Sequence, residues 1–112
     1  MTKLEKARIA INEADAQIAD AFEKRMHAAE DVIAYKMENG LPIFDAAREK
    51  EVIERNLAKI TDEKLKPYYE DMLFQLMRIS KEYQQAILNK STSDDSEYSN
   101  AEKSSPEGGN KI

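Results

Sequence analysis

Residues 4–39 read LEKARIAINEADAQIADAFEKRMHAAEDVIAYKMEN, with neither glycine nor proline. Alanine, glutamate, lysine and isoleucine dominate the stretch, and the first three are strong helix formers. It predicts a single helix of about 36 residues, roughly 54 Å long at 1.5 Å per residue. Leu4, Ile11, Ile18, Arg25 and Val32 recur every seven positions, and Ala7, Ala14, Ala21, Ala28 and Tyr35 form a companion row. This is the pattern of a coiled-coil-like seam, with a small-residue row that lets another helix come close. One short and one medium helix, all that the remaining sequence offers, cannot cover it. Much of the seam is therefore expected to meet a second subunit, which implies a homodimer.

Working outward, Gly40-Leu41-Pro42-Ile43 ends the long helix. Gly40 suits a left-handed cap, and Pro42 blocks continuation. Asp45 reads as the N-cap of a second helix over residues 46–58. Thr61-Asp62-Glu63 begins a further turn, and Pro67 fits the first turn of a third helix over residues 66–88. Met72, Leu73, Leu76, Met77, Ile79, Tyr83 and Ile87 supply its apolar face. Residues 90–112 change character: serine, aspartate, glutamate, asparagine and glycine replace apolar residues, which predicts a disordered polar tail. The expected organisation is an all-α domain over residues 1–89, a three-helix protomer with one long N-terminal helix, followed by that tail.

Composition narrows the function. The chain has 112 residues, 17 basic and 22 acidic, for a net charge of -5. A nucleic-acid partner would need a basic field that this balance does not provide. The absence of cysteine excludes thiolate nucleophiles, disulfides and cysteine-bound zinc. No apolar run approaches membrane-spanning length, and Met1-Thr2-Lys3-Leu4-Glu5-Lys6 lacks the apolar core of a signal peptide. No membrane partner is expected, and the expected location is the cytoplasm.

Several polar residues fall where apolar ones would be expected. Arg25 occupies the seam row. Lys36, eleven positions later, lies within about 20° of it around the helix and about 16 Å along it, so the two long side chains could converge on a small anion. Alternatively, a seam cation sets helix register or snorkels to water. Arg8 lies about 25 Å from Arg25 along the same helix, too far to share one small ligand within a chain. In an antiparallel dimer it could serve the partner's site. Asp45-Ala46-Ala47-Arg48-Glu49 looks locally like an ordinary capped helix start. Ser80 and Gln84, four apart, face the same way and taken alone read as a surface pair. His27 points about 200° away from Arg25 and reads as a solvated residue.

Three segments together resemble the all-helical chorismate mutase family. The first is Arg8-Ile9-Ala10-Ile11-Asn12-Glu13-Ala14-Asp15, continued by Ile18 and Phe22 and closed by Arg25. The second is Lys36 followed by Gly40-Leu41-Pro42-Ile43-Phe44-Asp45-Ala46-Ala47-Arg48-Glu49. The third is Phe74-Gln75-Leu76-Met77-Arg78-Ile79-Ser80-Lys81-Glu82-Tyr83-Gln84. The resemblance covers residues 4–88. Ala7 and Asn12 stand where the family often has leucine and aspartate, and neither position contacts substrate in the family pattern.

The resemblance implies an intertwined helical homodimer with two sites, each built from both chains, that converts chorismate to prephenate without a cofactor or metal. It assigns Arg8, from the partner subunit, and Arg25 to the substrate carboxylates, and Lys36 and Gln84 to the ether oxygen. Glu49, with the backbone near Asp45, is assigned to the ring hydroxyl, and Arg48 and Ser80 complete the polar wall. Two other readings stand beside it. Isochorismate–pyruvate lyases share the fold, but the Arg48-Glu49 pair and Ser80 four before Gln84 look more like the mutases. A helical interaction module without chemistry would have no need of seven polar residues matching in identity and spacing.

Overall fold

The first helix begins with a reciprocal pair of hydrogen bonds. The Glu5 amide donates to the Thr2 hydroxyl at 3.0 Å, and the Thr2 amide donates to the Glu5 carboxylate at 2.8 Å. Two amides that a helix start leaves open are thereby satisfied. In this computed structural model, which describes residues 1–93, α1 runs unbroken over Lys3–Asn39. Gly40 ends it at φ 64°, with its amide bonded back to the Lys36 carbonyl. Nothing lies near the place a Cβ would occupy there. The left-handed backbone alone, not crowding, is what favours glycine.

Asp45 caps α2, Ala46–Leu57, by accepting from the Arg48 amide at 3.1 Å. The expected helix thus begins where Asp45 indicates and ends one residue short of Ala58. A single 3-10 turn, Glu63–Leu65, is capped by Asp62 and leads straight into α3, Lys66–Ser93. The helix therefore extends through residue 93, past its expected end at residue 88. No glycine or proline interrupts α3 after Pro67, and adding residues to an existing helix costs little. The Thr92 hydroxyl also bonds the Asn89 carbonyl at 2.9 Å. The remainder of the expected tail, residues 94–112, lies outside the described residues.

All regular structure among the described residues is helical. α3 packs against both α1 and α2, and the buried apolar core is Ala29, Ile33, Val52, Leu73 and Met77. Ile33 is 2% exposed; truncating a side chain so enclosed typically costs about 3 kcal/mol. The face of α1 that meets its own chain is thus the 29/33 stripe, not the heptad row. Met72, counted with the apolar face of α3, remains exposed.

Residues 1–24 are exposed throughout. Ile11 and Ile18, at the centre of the heptad row, are 56% and 60% exposed, and Leu4, Ile9 and Phe22 are exposed with them. A compact chain of this length has a radius of gyration of about 12–13 Å; here it is 18.0 Å, with a long dimension of 58 Å. The excess length is the free half of α1. No helix among the described residues is long and apolar enough to cross a membrane.

Candidate active site

Where α1, α2 and α3 meet, they enclose a cavity of about 250 Å³. α1 contributes Arg25, Ala28, Ala29, Val32 and Lys36; the start of α2 contributes Asp45, Arg48, Glu49 and Val52. α3 supplies Met77, Ser80, Lys81 and Gln84. Seven of the eight site residues expected from the sequence therefore line one cavity. Arg8 does not, because it stands on the exposed half of α1.

Each polar group arrives there by a local rule. Arg25 and Lys36 lie on nearly the same side of α1, with the cavity between them. Lys36 donates to the Ile43 carbonyl at 2.7 Å, which ties the connection between α1 and α2 to the rim of the cavity. Asp45 is both helix cap and cavity wall. Ser80 and Gln84 lie one turn apart on α3 and are 8% and 7% exposed. They are buried, which overturns the reading of them as a surface pair.

The electrostatics are those of a site for an anion. Four cations, Arg25, Lys36, Arg48 and Lys81, line the cavity against two carboxylates, Asp45 and Glu49. Arg25 is half-buried and makes no side-chain hydrogen bond or ion pair within the described residues. Burial, and then the Arg48 guanidinium, lower its pKa from its ordinary value. It remains charged at any ordinary pH, but water and its neighbour stabilise that charge poorly. An anion beside it would reverse both effects. Arg48 is partly engaged elsewhere, with a guanidinium nitrogen 3.0 Å from Glu51.

Gln84 carries a second unmet need. Its amide nitrogen donates to the Ser80 hydroxyl at 3.2 Å, while its buried Oε1 has no partner among the described residues. The Ser80 hydroxyl can equally donate to the amide oxygen. A half-turn of the amide about its last torsion then keeps the Ser80 contact and offers two N–H donors instead of an orphaned oxygen. Buried polar atoms without partners are costly, so this end of the cavity suits a polar ligand atom.

A larger concavity of about 840 Å³ adjoins this cavity, sharing Lys36, Ile43 and Lys81 with it. Met37, Leu41, Ile43, Phe44 and Leu88 give it an apolar lining, with Arg78 and Glu82 at its edge. It lacks Arg25, Asp45, Arg48, Glu49, Ser80 and Gln84, and of the expected site residues holds Lys36 alone. The smaller, polar cavity is the candidate site.

Sequence reasoning named no role for Val52 or Lys81 and placed Met77 only on the apolar face of the third helix, yet all three line this cavity. Lys81 precedes Gln84 by three residues and so shares its face. That spacing was the available signal.

The fold and cavity define an all-helical protein with a cation-rich pocket set between its helices. The family model for chorismate mutase type II matches residues 7–85, a span that contains α2 and every residue of the cavity, and the chain belongs to that family. Neither the curated proteins nor the solved structures compared with it gave a match.

Proposed function

We propose that the chain is a chorismate mutase, converting chorismate to prephenate on the way to phenylalanine and tyrosine, and that it works as a homodimer. The observation that carries this reading is the convergence of seven of the expected polar residues on one cavity, with Arg25, unpaired among the described residues, at one side and the buried Gln84 amide at another. Family membership supports it independently.

Chorismate carries two carboxylates and a ring hydroxyl. In its rearrangement a C–O ether bond breaks as a C–C bond forms, with no net transfer of protons or electrons. The protein's task is to hold the compact conformer and to stabilise negative charge growing on the ether oxygen. A millionfold acceleration would need ~8 kcal/mol of such stabilisation. Arg25 binds one carboxylate, where a planar guanidinium gives two parallel hydrogen bonds. The partner subunit's Arg8 binds the other. Lys36 and Gln84 donate to the ether oxygen, and Glu49 accepts from the hydroxyl beside the backbone at Asp45. Arg48 and Ser80 close the polar wall.

The dimer supplies what a single protomer lacks. The exposed Leu4, Ile11 and Ile18 row supports a second α1 lying against the first, and only a second chain brings an Arg8 near the cavity. Chorismate depletion, with prephenate identified as product, tests the activity. Conversion of isochorismate to salicylate and pyruvate, with chorismate untouched, would favour the lyase. Inertness toward both, with no binding of a bicyclic transition-state analogue, would leave an interaction module. Light scattering coupled to size exclusion tests the dimer, and a stable, active monomer would refute it.

A further inference from the structure

Lys81 is held from two sides. Its ammonium lies 2.9 Å from Glu49 Oε2 and 4.8 Å from the centroid of the Phe44 ring. The Lys24–Asp20, Arg55–Glu51 and Arg78–Glu82 pairs each link neighbouring turns of one helix. Lys81–Glu49 instead joins α3 to α2, with Phe44 adding the connection that precedes α2. Both members of the pair are half-buried and line the cavity.

The pair answers a chemical difficulty. A free carboxylate in the cavity would repel a ligand bearing two carboxylates. It could also turn either oxygen, or neither, toward a hydroxyl. With Oε2 bound to Lys81, the Glu49 charge is offset and the plane of its carboxylate is fixed. Oε1 is left to accept one hydrogen bond. The ammonium cannot easily leave this place, because the Phe44 ring faces it from the loop side.

We propose that Lys81 is a positioning residue, acting through Glu49, that determines how strongly the site prefers a substrate bearing the ring hydroxyl. This rests on the reading of Glu49 as the acceptor for that hydroxyl. A cation that merely attracted the dianion would favour substrates with and without the hydroxyl alike. A positioned acceptor favours only the first.

The test measures kcat and KM for the wild type, Lys81→Met, Lys81→Arg and Glu49→Gln, and for Lys81→Met combined with Glu49→Gln. Two substrates are used: chorismate, and its analogue lacking the ring hydroxyl. Helicity and melting temperature are recorded for each variant. The expected result is that Lys81→Met lowers kcat/KM for chorismate by about tenfold, the effect of one charge-assisted hydrogen bond. For the deoxy analogue the loss should be under about twofold by the same reasoning. Lys81→Arg should restore most of the preference, and Lys81→Met should add nothing once Glu49→Gln is present. Equal losses on both substrates would overturn the proposal, as would a full Lys81→Met effect in the Glu49→Gln background. If Lys81→Met unfolds, Lys81→Arg and Lys81→Gln carry the same comparison between substrates. A folded wild type inactive on both substrates would overturn the proposed function, and this role with it. A wild type active on both, with equal losses in the variants, would overturn only the role of Lys81.

Discussion

The two halves of α1 are built from similar residues but are covered differently. Beyond residue 24, the helix packs against α3, and its Ala29 and Ile33 are buried. Before it, Leu4, Ile9, Ile11 and Ile18 stay about half exposed or more among the described residues. One half is packed as a domain core; the other has the apolar content of a core and the exposure of a surface. A globular protein seldom leaves so much apolar helix face open without a partner. Hydrophobic periodicity therefore records that a face is to be buried, and it does not record whose atoms will bury it.

The largest effect expected from this division concerns Arg8, in the bare half, and Lys36, in the covered half. Arg8→Ala and Lys36→Ala should each lower kcat/KM by about 100- to 1000-fold, as loss of one donor to a transition state typically does. Mixed and allowed to exchange subunits, the two inactive proteins should form heterodimers with one intact site. Random exchange makes about half the dimers mixed, so activity should return to roughly a quarter of wild type. Native mass spectrometry can confirm the exchange. Complete exchange with no recovery would show that Arg8 does not serve the partner's site.

Next come substitutions that separate the halves by stability. Ile33→Ala should cost about 3 kcal/mol, read as a lower denaturant midpoint at every protein concentration. Ile18→Asp, in the bare half, should instead convert dimer to monomer in light scattering and abolish activity. If Ile18→Asp leaves a dimer, the bare face is covered by something other than a second α1.

A smaller and conditional effect is expected at Gln84. In Gln84→Glu, a carboxylate would repel charge on the ether oxygen, whereas a protonated carboxyl could still donate to it. Activity should fall as pH rises through the new group's pKa. A rate profile parallel to wild type would remove Gln84 from that role.

The smallest effect concerns a contact that fastens the covered half to α3. The Tyr83 hydroxyl donates to the Glu30 carboxylate at 2.5 Å, and His27 Nδ1 lies 3.3 Å from the same oxygen. The Tyr83 bond, with a lesser contribution from His27, lowers the Glu30 pKa from its ordinary 4.5. The Glu30 contact raises the Tyr83 pKa above its ordinary 10.0. A carboxylate lowered in this way adds stability above its unfolded pKa, and that stability is lost as pH falls through the folded value. The phenol adds stability below its unfolded pKa, lost as pH rises through the folded one. Tyr83→Phe should lower the melting temperature by a few degrees at neutral pH, with the gap to wild type narrowing in acid. A gap independent of pH would show that the ring, not the hydroxyl, makes the difference.

Some of this was legible in the sequence because it depends on neighbours in the chain. Gly40 must end a helix, and Asp45 can cap the next. The ends of the helices follow closely, apart from the added turn after Asn89. The cavity residues were legible through three segments read together; individually, Ser80 and Gln84 looked like surface. What could not be read depends on helices meeting. Ile33 lies outside the heptad row, and only the approach of α3 shows that its stripe is the core. Lys81 and Glu49 are ordinary charges in separate helices until those helices pack. Glu30 and Tyr83 are likewise unremarkable until α1 and α3 come together. The capping box of Thr2 and Glu5 was readable from its spacing, but the expected helix starts at Leu4 without it.

The hydrogen bond from Lys36 to the Ile43 carbonyl has a thermodynamic consequence. A lysine side chain free in water loses about 2 kcal/mol of rotamer entropy when it is held in one place. Here the main chain of the following loop holds it, so that loss is incurred on folding and not when a ligand arrives. One ammonium hydrogen faces the carbonyl and two remain to be directed elsewhere. The donor is aimed in advance by a backbone oxygen, which no side-chain substitution at position 43 removes. Whatever anion enters the cavity meets a cation whose disorder has already been spent.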